Sequence, residues 1–152
     1  MLLEQYLDPI THRRISSLGF GPGWHCLEIG GGGGSVARWL SAQVGADGRV
    51  VGTDIDPRFL EEIREPNFEA WKHDITVDAL PASEFDLVHT RWVIHHLADP
   101  ESAIKRMITA LRPGGWLLVE EMDFFPNPHR IFATLYRSHH WTDESNCRVG
   151  RG

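Results

Sequence analysis

The sequence predicts a doubly wound α/β domain, a parallel sheet with helices on both faces. Three observations predict it. Short apolar runs alternate with helical patterns along the chain, five consecutive glycines separate the first such run from a helix, and a carboxylate closes the next run. Length and composition agree: 152 residues, 41% hydrophobic and 24% charged, make one ordinary domain. A domain of this size buries roughly 68–70% of its unfolded surface and needs no disulfide or metal as a staple.

In chain order, Asp8 to Leu18 carries Ile10, Ile15 and Leu18 loosely on one helix face and ends in Gly19 and the turn Gly21-Pro22-Gly23. Trp24 to Ile29 is a short buried strand that runs into Gly30–Gly34. Ser35 to Val44 spaces Val36, Leu40 and Val44 by four, a helix. Arg49 to Ile55 is a second strand, and Pro57 suits the first turn of a helix reaching about Arg64. Phe68 to His73 and Phe85 to His89 read as the third and fourth strands. Pro100 to Leu111, with Ala103, Met107 and Leu111 four apart, is a helix stopped by Arg112-Pro113-Gly114-Gly115. Trp116 to Met122 is a fifth strand. After Pro126 and Pro128, Arg130 to Trp141 is expected to be one more helix. Crossovers of this kind are right-handed in about 98% of cases, which sets the hand of the fold.

Several function classes are disfavoured at once. Fifteen basic against twenty-one acidic residues give −6 with no basic block, so nucleic acid is not the expected partner. No apolar run approaches a membrane span of ~20 residues, and the first residues lack a basic region with a long apolar core. A soluble, cytoplasmic chain is expected. Two cysteines, Cys26 and Cys147, are too few for a disulfide framework.

In a doubly wound sheet the ligand binds beyond the carboxyl ends of the strands. The glycines lie in the first strand-to-helix turn, where they permit positive φ and close approach of backbone to a ligand. No lysine follows them, so a P-loop is excluded. The dinucleotide pattern would use Gly30 and Gly32 and then meet Ser35 where glycine or alanine is usual. The spacing Gly30-x-Gly32-x-Gly34 after Glu28 fits better a ligand with positive charge, because a carboxylate there would repel pyrophosphate.

At these residues the chain resembles the class I S-adenosylmethionine-dependent methyltransferases, in particular their small-molecule branch. CLEIGGGGGS resembles their first motif, GRVVGTDIDP their second-strand motif, and HDI at 73–75 the adenine-contacting segment. FDLVHTRWVIHHLADP resembles their fourth strand, and LRPGGWLLVEE the helix end and fifth strand. The resemblance covers about Asp8 to Asp123. It implies a Rossmann-like sheet of order 3-2-1-4-5 within a single domain 1–152: helix and turn at 1–22, cofactor-binding core at 23–123, helix and tail at 124–152. It implies S-adenosylmethionine as cofactor, S-adenosylhomocysteine as product and a small-molecule methyl acceptor. Glu28 with Gly30, Gly31, Gly32 and Gly34 would hold the methionine end. Asp54 would take the ribose hydroxyls and Ile55 the adenine face. Asp74 and Ile75 would contact the adenine edge, and His89, Thr90 and Arg91 would line the methionine moiety.

A general base would assist transfer to a protonated acceptor. Candidates near the strand ends are His89, His95, His96, Glu120, Glu121 and Asp123, and no single one stands out. Nine histidines raise a metal site, but His95-His96 and His139-His140 are adjacent pairs whose side chains diverge, and no zinc spacing occurs, so none is expected. The six tryptophans read mainly as core or lid, with Trp92 placed to touch a ligand.

The family's sheet has seven strands, the last two an antiparallel hairpin beside the fifth. Only about thirty residues follow Glu121, and no strand pair is evident among them. The expectation is a five-stranded sheet without the hairpin, whose open fifth-strand edge is covered by a second copy in a homodimer. Two other readings follow: a non-catalytic S-adenosylmethionine-binding module or truncated fragment, and a nicotinamide-dependent oxidoreductase.

Overall fold

The computed structural model describes residues 2–123 and 130–138. Six strands form one sheet in the order β3-β2-β1-β4-β5-β6. These are β1 (His25–Ile29), β2 (Arg49–Asp54), β3 (Phe68–Lys72), β4 (Phe85–Arg91), β5 (Leu111–Asp123) and β6 (Arg130–Arg137). The first five are parallel, and β6 is antiparallel to β5. The helices are α1 (Leu2–Ser16), α2 (Ser35–Val44) and α3 (Pro100–Ala110).

Side chains alternate across a strand, so each central strand supplies both faces. Leu27, Ile29, Val88, Leu117 and Val119 pack with Ala103, Met107 and Ala110 of α3. Cys26, Leu87 and Leu118 point the other way, onto Ile15 of α1 and Val36, Leu40 and Val44 of α2. Continuing that alternation puts Glu28, His89 and Glu120 on the α1 face, at the carboxyl ends of their strands.

The segment expected as a helix at Arg130 to Trp141 is the strand β6 over its first eight residues. Ile131, Phe132, Thr134 and Tyr136 are β-branched or aromatic and suit a pleated ribbon. A β5 edge with its backbone groups unpaired supplies the partner, with Trp116 opposite Arg137 and Asp123 opposite Arg130. The expected five-stranded sheet without an antiparallel partner is therefore corrected to six strands. The edge on which a second copy was expected is filled by the chain itself. His139, His140, Trp141 and Cys147 lie outside the described residues.

Two helices also differ. The helix α1 starts at Leu2 rather than Asp8 and contains Pro9. A proline inside a helix removes a hydrogen bond, and side-chain anchors described below hold this helix in place. The helix expected after Pro57 is a 3-10 helix, Pro57–Glu62. Arg112-Pro113-Gly114-Gly115 ends α3 as expected and then forms an irregularity within β5, where Phe85 pairs with Leu111 but Leu87 pairs with Trp116. Gly114 there has φ +83°, a backbone state that favours glycine. Among the described residues no helix is long and apolar enough to cross a membrane.

Candidate active site

The glycine turn is built by the sheet beneath it. The N–H groups of Gly30 and Gly31 both donate to the Thr53 carbonyl, at 2.8 and 2.9 Å, tying the turn to the end of β2. Gly30 has φ +70°, and a Cβ there would stand 2.3 Å from Val93 Cγ2. Backbone conformation and space both exclude a side chain. Gly32, at φ +50°, faces open space. Asp54 closes the arrangement from the next strand, accepting from the Gly32 N–H at 3.0 Å and from the Asp56 N–H at 3.0 Å.

A cavity of about 370 Å³ opens over these strand ends. Of the residues expected to bind a cofactor, Gly30, Asp54, Ile55, Asp74, Ile75 and Arg91 line it. Gly31, Gly32 and Gly34 complete the turn beside it. Asp74 is an exposed carboxylate tied back by Thr76, whose hydroxyl donates at 2.6 Å and whose N–H donates at 2.9 Å. Those two bonds, the hydroxyl first, lower its pKa.

The structure places Glu28, His89 and Thr90 differently from the expectation: all three are buried and none is among the cavity's walls. Thr90 donates its hydroxyl to the Ile29 carbonyl at 3.1 Å. Glu28 and His89 are opposite one another in register on β1 and β4. Glu28 Oε1 lies 3.7 Å from His89 Nδ1, an ion-pair distance beyond hydrogen bonding. His89 Nε2 lies 3.1 Å from Glu120 Oε2. Burial opposes a charged imidazole most strongly, but the Glu120 and Glu28 carboxylates together outweigh it and raise the His89 pKa. Burial likewise works against the Glu120 carboxylate, yet bonds from His89, Thr11 and Arg14 bring it down to about 2.

The other partners come from α1. Thr11 and Arg14 both donate to Glu120. Asp8 accepts from Arg91 Nη2 at 2.9 Å and from the Ser35 hydroxyl at 3.2 Å, and Arg91 Nη1 reaches the Thr11 hydroxyl at 3.1 Å. Helix α1 thus straps the ends of β4 and β5 and the start of α2. Composition and motif matching pass over this stripe. The signal available in the sequence is the spacing of Asp8, Thr11 and Arg14, each three apart, since residues so spaced share a helix face.

Beyond the motifs, the cavity is walled by His73, Trp92, Val93, His96 and Leu97. Trp92 has φ +61°, an uncommon state for a bulky residue, and its N–H donates to the Glu120 carbonyl at 2.9 Å. That bond carries the ladder to β5 one residue beyond β4, and the residues that follow, through Leu97, supply part of the cavity wall. Among the candidate bases, Glu120 is buried in the ion pair, Asp123 is the last residue of β5, and His95 pairs with Glu121. Among the described residues no group of three or more metal-ligating side chains converges.

The residues present fit a nucleoside with a cationic tail. Glu28 Oε2 finds no hydrogen-bond partner among the described residues and lies 3.6 Å from where a Gly31 Cβ would be, so a carboxylate oxygen without a hydrogen bond sits under the turn. Asp54 uses only part of its acceptor capacity on backbone, leaving lone pairs for hydroxyl donors.

A family model for a methyltransferase domain matches residues 27–119. The chain is 32% identical over 131 residues to a ubiquinone/menaquinone biosynthesis C-methyltransferase of Laribacter hongkongensis, covering 82% of this chain and 54% of that protein. It is 35% identical over 100 residues to methyltransferase str2 of Strobilurus tenacellus, covering 64% and 35%. The chain spans about half the length, or less, of these curated relatives. In fold it is similar to an S-adenosylmethionine-dependent methyltransferase from Aquifex aeolicus, with a TM-score of 0.66 at 20% identity over 77% of this chain and 68% of that one.

Proposed function

Since the chain belongs to the class I S-adenosylmethionine-dependent methyltransferases, we propose that it catalyses methyl transfer from S-adenosylmethionine to a small-molecule acceptor. The observation that carries this reading is the cavity at the ends of β1, β2 and β4, with the glycine turn, Asp54 and Asp74 around one opening. The similarity to a quinone-biosynthesis C-methyltransferase and the net charge of −6 support a small acceptor over nucleic acid.

Bound there, the cofactor supplies an electrophilic methyl group on a positively charged sulfur. The chain's own residues then have separable tasks. Asp54 accepts from the ribose hydroxyls, as a carboxylate at this strand end does in nucleotide sites. Asp74 and Ile75 hold the adenine edge, and Ile55 covers its face. Glu28, beneath the turn, contributes negative potential toward the cationic end of the ligand. His89, Thr90 and Arg91 act from behind the wall or at its edge, fixing the strand end on which Trp92 turns. The reaction is helped chiefly by holding donor and acceptor aligned in the cavity, since such orientation supplies much of the rate gain in displacement reactions.

Calorimetry with S-adenosylhomocysteine and with NAD tests the reading. Binding of S-adenosylhomocysteine without NAD binding is expected. Tight binding of NAD alone would replace the reading with a nicotinamide-dependent one.

A further inference from the structure

Helix α1 is held to the domain largely by polar groups. Of its described side chains only Leu7, Thr11 and Ile15 are buried, and Pro9 leaves one backbone hydrogen bond unmade. Little apolar burial fastens the helix, so its attachment depends on charge. Asp8 and Thr11 reach Arg91, and Thr11 and Arg14 reach Glu120.

His12 adds a contact with no part in cofactor binding. Its ring stacks on Trp39 of α2, with centroids 4.0 Å apart and planes at 10°. Phe20 lies against the same indole at 5.4 Å. His12 Nε2 is shut off from solvent and has no hydrogen-bond partner among the described residues. A neutral ring can carry its proton on Nδ1 and leave only a lone pair at that position. A protonated ring must place an N–H there, without acceptor or water. The indole face attracts a cation, but stacked planes aim that N–H along the face rather than into it. The charged and titratable groups around the ring are Asp8 on its own helix, His89 and Arg91 of β4 and Glu120 of β5, while α2 presents the uncharged Trp39. Burial opposes the charged imidazole most strongly and, with Arg91 and His89, outweighs Asp8 and Glu120, so the His12 pKa lies below the ordinary 6.5.

We propose that His12 is a pH-sensitive latch for α1: the neutral ring stacks on Trp39 and docks the helix, and protonation releases the helix together with Asp8 and Thr11, the partners of Arg91 at the cavity wall. The released ring takes up its proton at the ordinary 6.5, so docking is complete above that value and weakens as pH falls below it. The His89 contribution runs the other way and is complete below 6.5, so it does not imitate the effect.

The test reads amide hydrogen exchange across α1 in the full chain, expressed as protection factors, which remove the intrinsic pH dependence of exchange. From about pH 7.5 to about pH 5.5, α1 protection in wild type is expected to fall by about three- to tenfold, tenfold being the ceiling for a group that titrates at 6.5 once released. His12→Phe keeps an aromatic ring on Trp39 and takes up no proton, and its α1 protection is expected to stay level or rise in acid. Wild-type protection that does not fall, or an equal fall in His12→Phe, overturns the proposal. The His12 ring titration followed by NMR in wild type needs no variant: a midpoint below 6.5 is expected, and one at or above 6.5 overturns the latch. Neither measurement contains S-adenosylhomocysteine, so the methyltransferase reading stands or falls separately.

Discussion

His89 Nε2 lies 3.1 Å from Glu120 Oε2, and both residues are fully buried at the carboxyl ends of adjacent strands. With Glu28 on the other side of the ring and Arg14 on the other Glu120 oxygen, two carboxylates meet an imidazole and a guanidinium. The pair is the point where the sheet, the glycine strand and α1 are joined.

Removing the imidazole leaves two buried carboxylates, of which Glu120 keeps Arg14 as a partner. His89→Leu is expected to destabilise the fold by about 3–5 kcal/mol, the usual cost of breaking a buried pair from one side. Denaturant unfolding measures it, and an unchanged midpoint would remove the pair from the stability of the domain.

The same pair sets a pH window. The Glu120 carboxyl is brought down to about 2 from an ordinary 4.5. A depressed carboxylate stabilises above its unfolded pKa and loses that as pH falls through the folded value, here about 3 kcal/mol lost between pH 4.5 and 2. His89 is raised above 6.5, so its contribution is complete below 6.5 and is lost as pH rises through its folded value. Unfolding free energy should therefore fall on both sides of an optimum between these limits. Glu120→Gln should flatten the acid side, and an acid limb that persists in this variant would assign it to other carboxylates.

Gly30 combines φ +70° with a Cβ position 2.3 Å from Val93 Cγ2. Gly30→Ala is expected to cost about 1–2 kcal/mol from the left-handed backbone and about 1–3 kcal/mol more from crowding. Adding Val93→Ala should recover the crowding part and leave the backbone part. A double-mutant cycle in thermal unfolding reads the coupling, and strict additivity would show that Val93 is not the obstacle.

Asp54 is predicted to govern cofactor affinity. Asp54→Ala should weaken S-adenosylhomocysteine binding by roughly 10–100-fold, the equivalent of one or two hydrogen bonds to a charged acceptor. Calorimetry measures this beside a melting curve, because Asp54 also accepts from the Gly32 and Asp56 N–H groups. Unchanged affinity would remove the ribose role.

Local signals carry most of the sheet and the outline of the site. The apolar runs at β1, β2, β4 and β5 are buried strands whose composition leaves no good alternative, and the glycines announce a turn that side chains cannot make. Asp54 follows from its place at the end of a strand, and Asp74 and Ile75 from the resemblance of HDI at 73–75 to the family's segment. The segment 130–137 reads as a helix in isolation because the residues that suit β6 also occur in amphipathic helices, and only the unpaired edge of β5 decides between the two.

By itself, the sequence determined the five parallel strands, the glycine turn and the carboxylates around it, since each depends on neighbours within a few residues. Tertiary structure alone decided which polar residues face the cavity. Glu28, His89 and Glu120 lie far apart along the chain, yet strand register and alternation bring them to one face under α1. Glu121, one residue beyond Glu120, instead meets the Ile94–His96 turn beside the cavity. A one-residue step in a strand reverses the face, so burial in an ion pair and access to a ligand cannot be separated until the strands are paired.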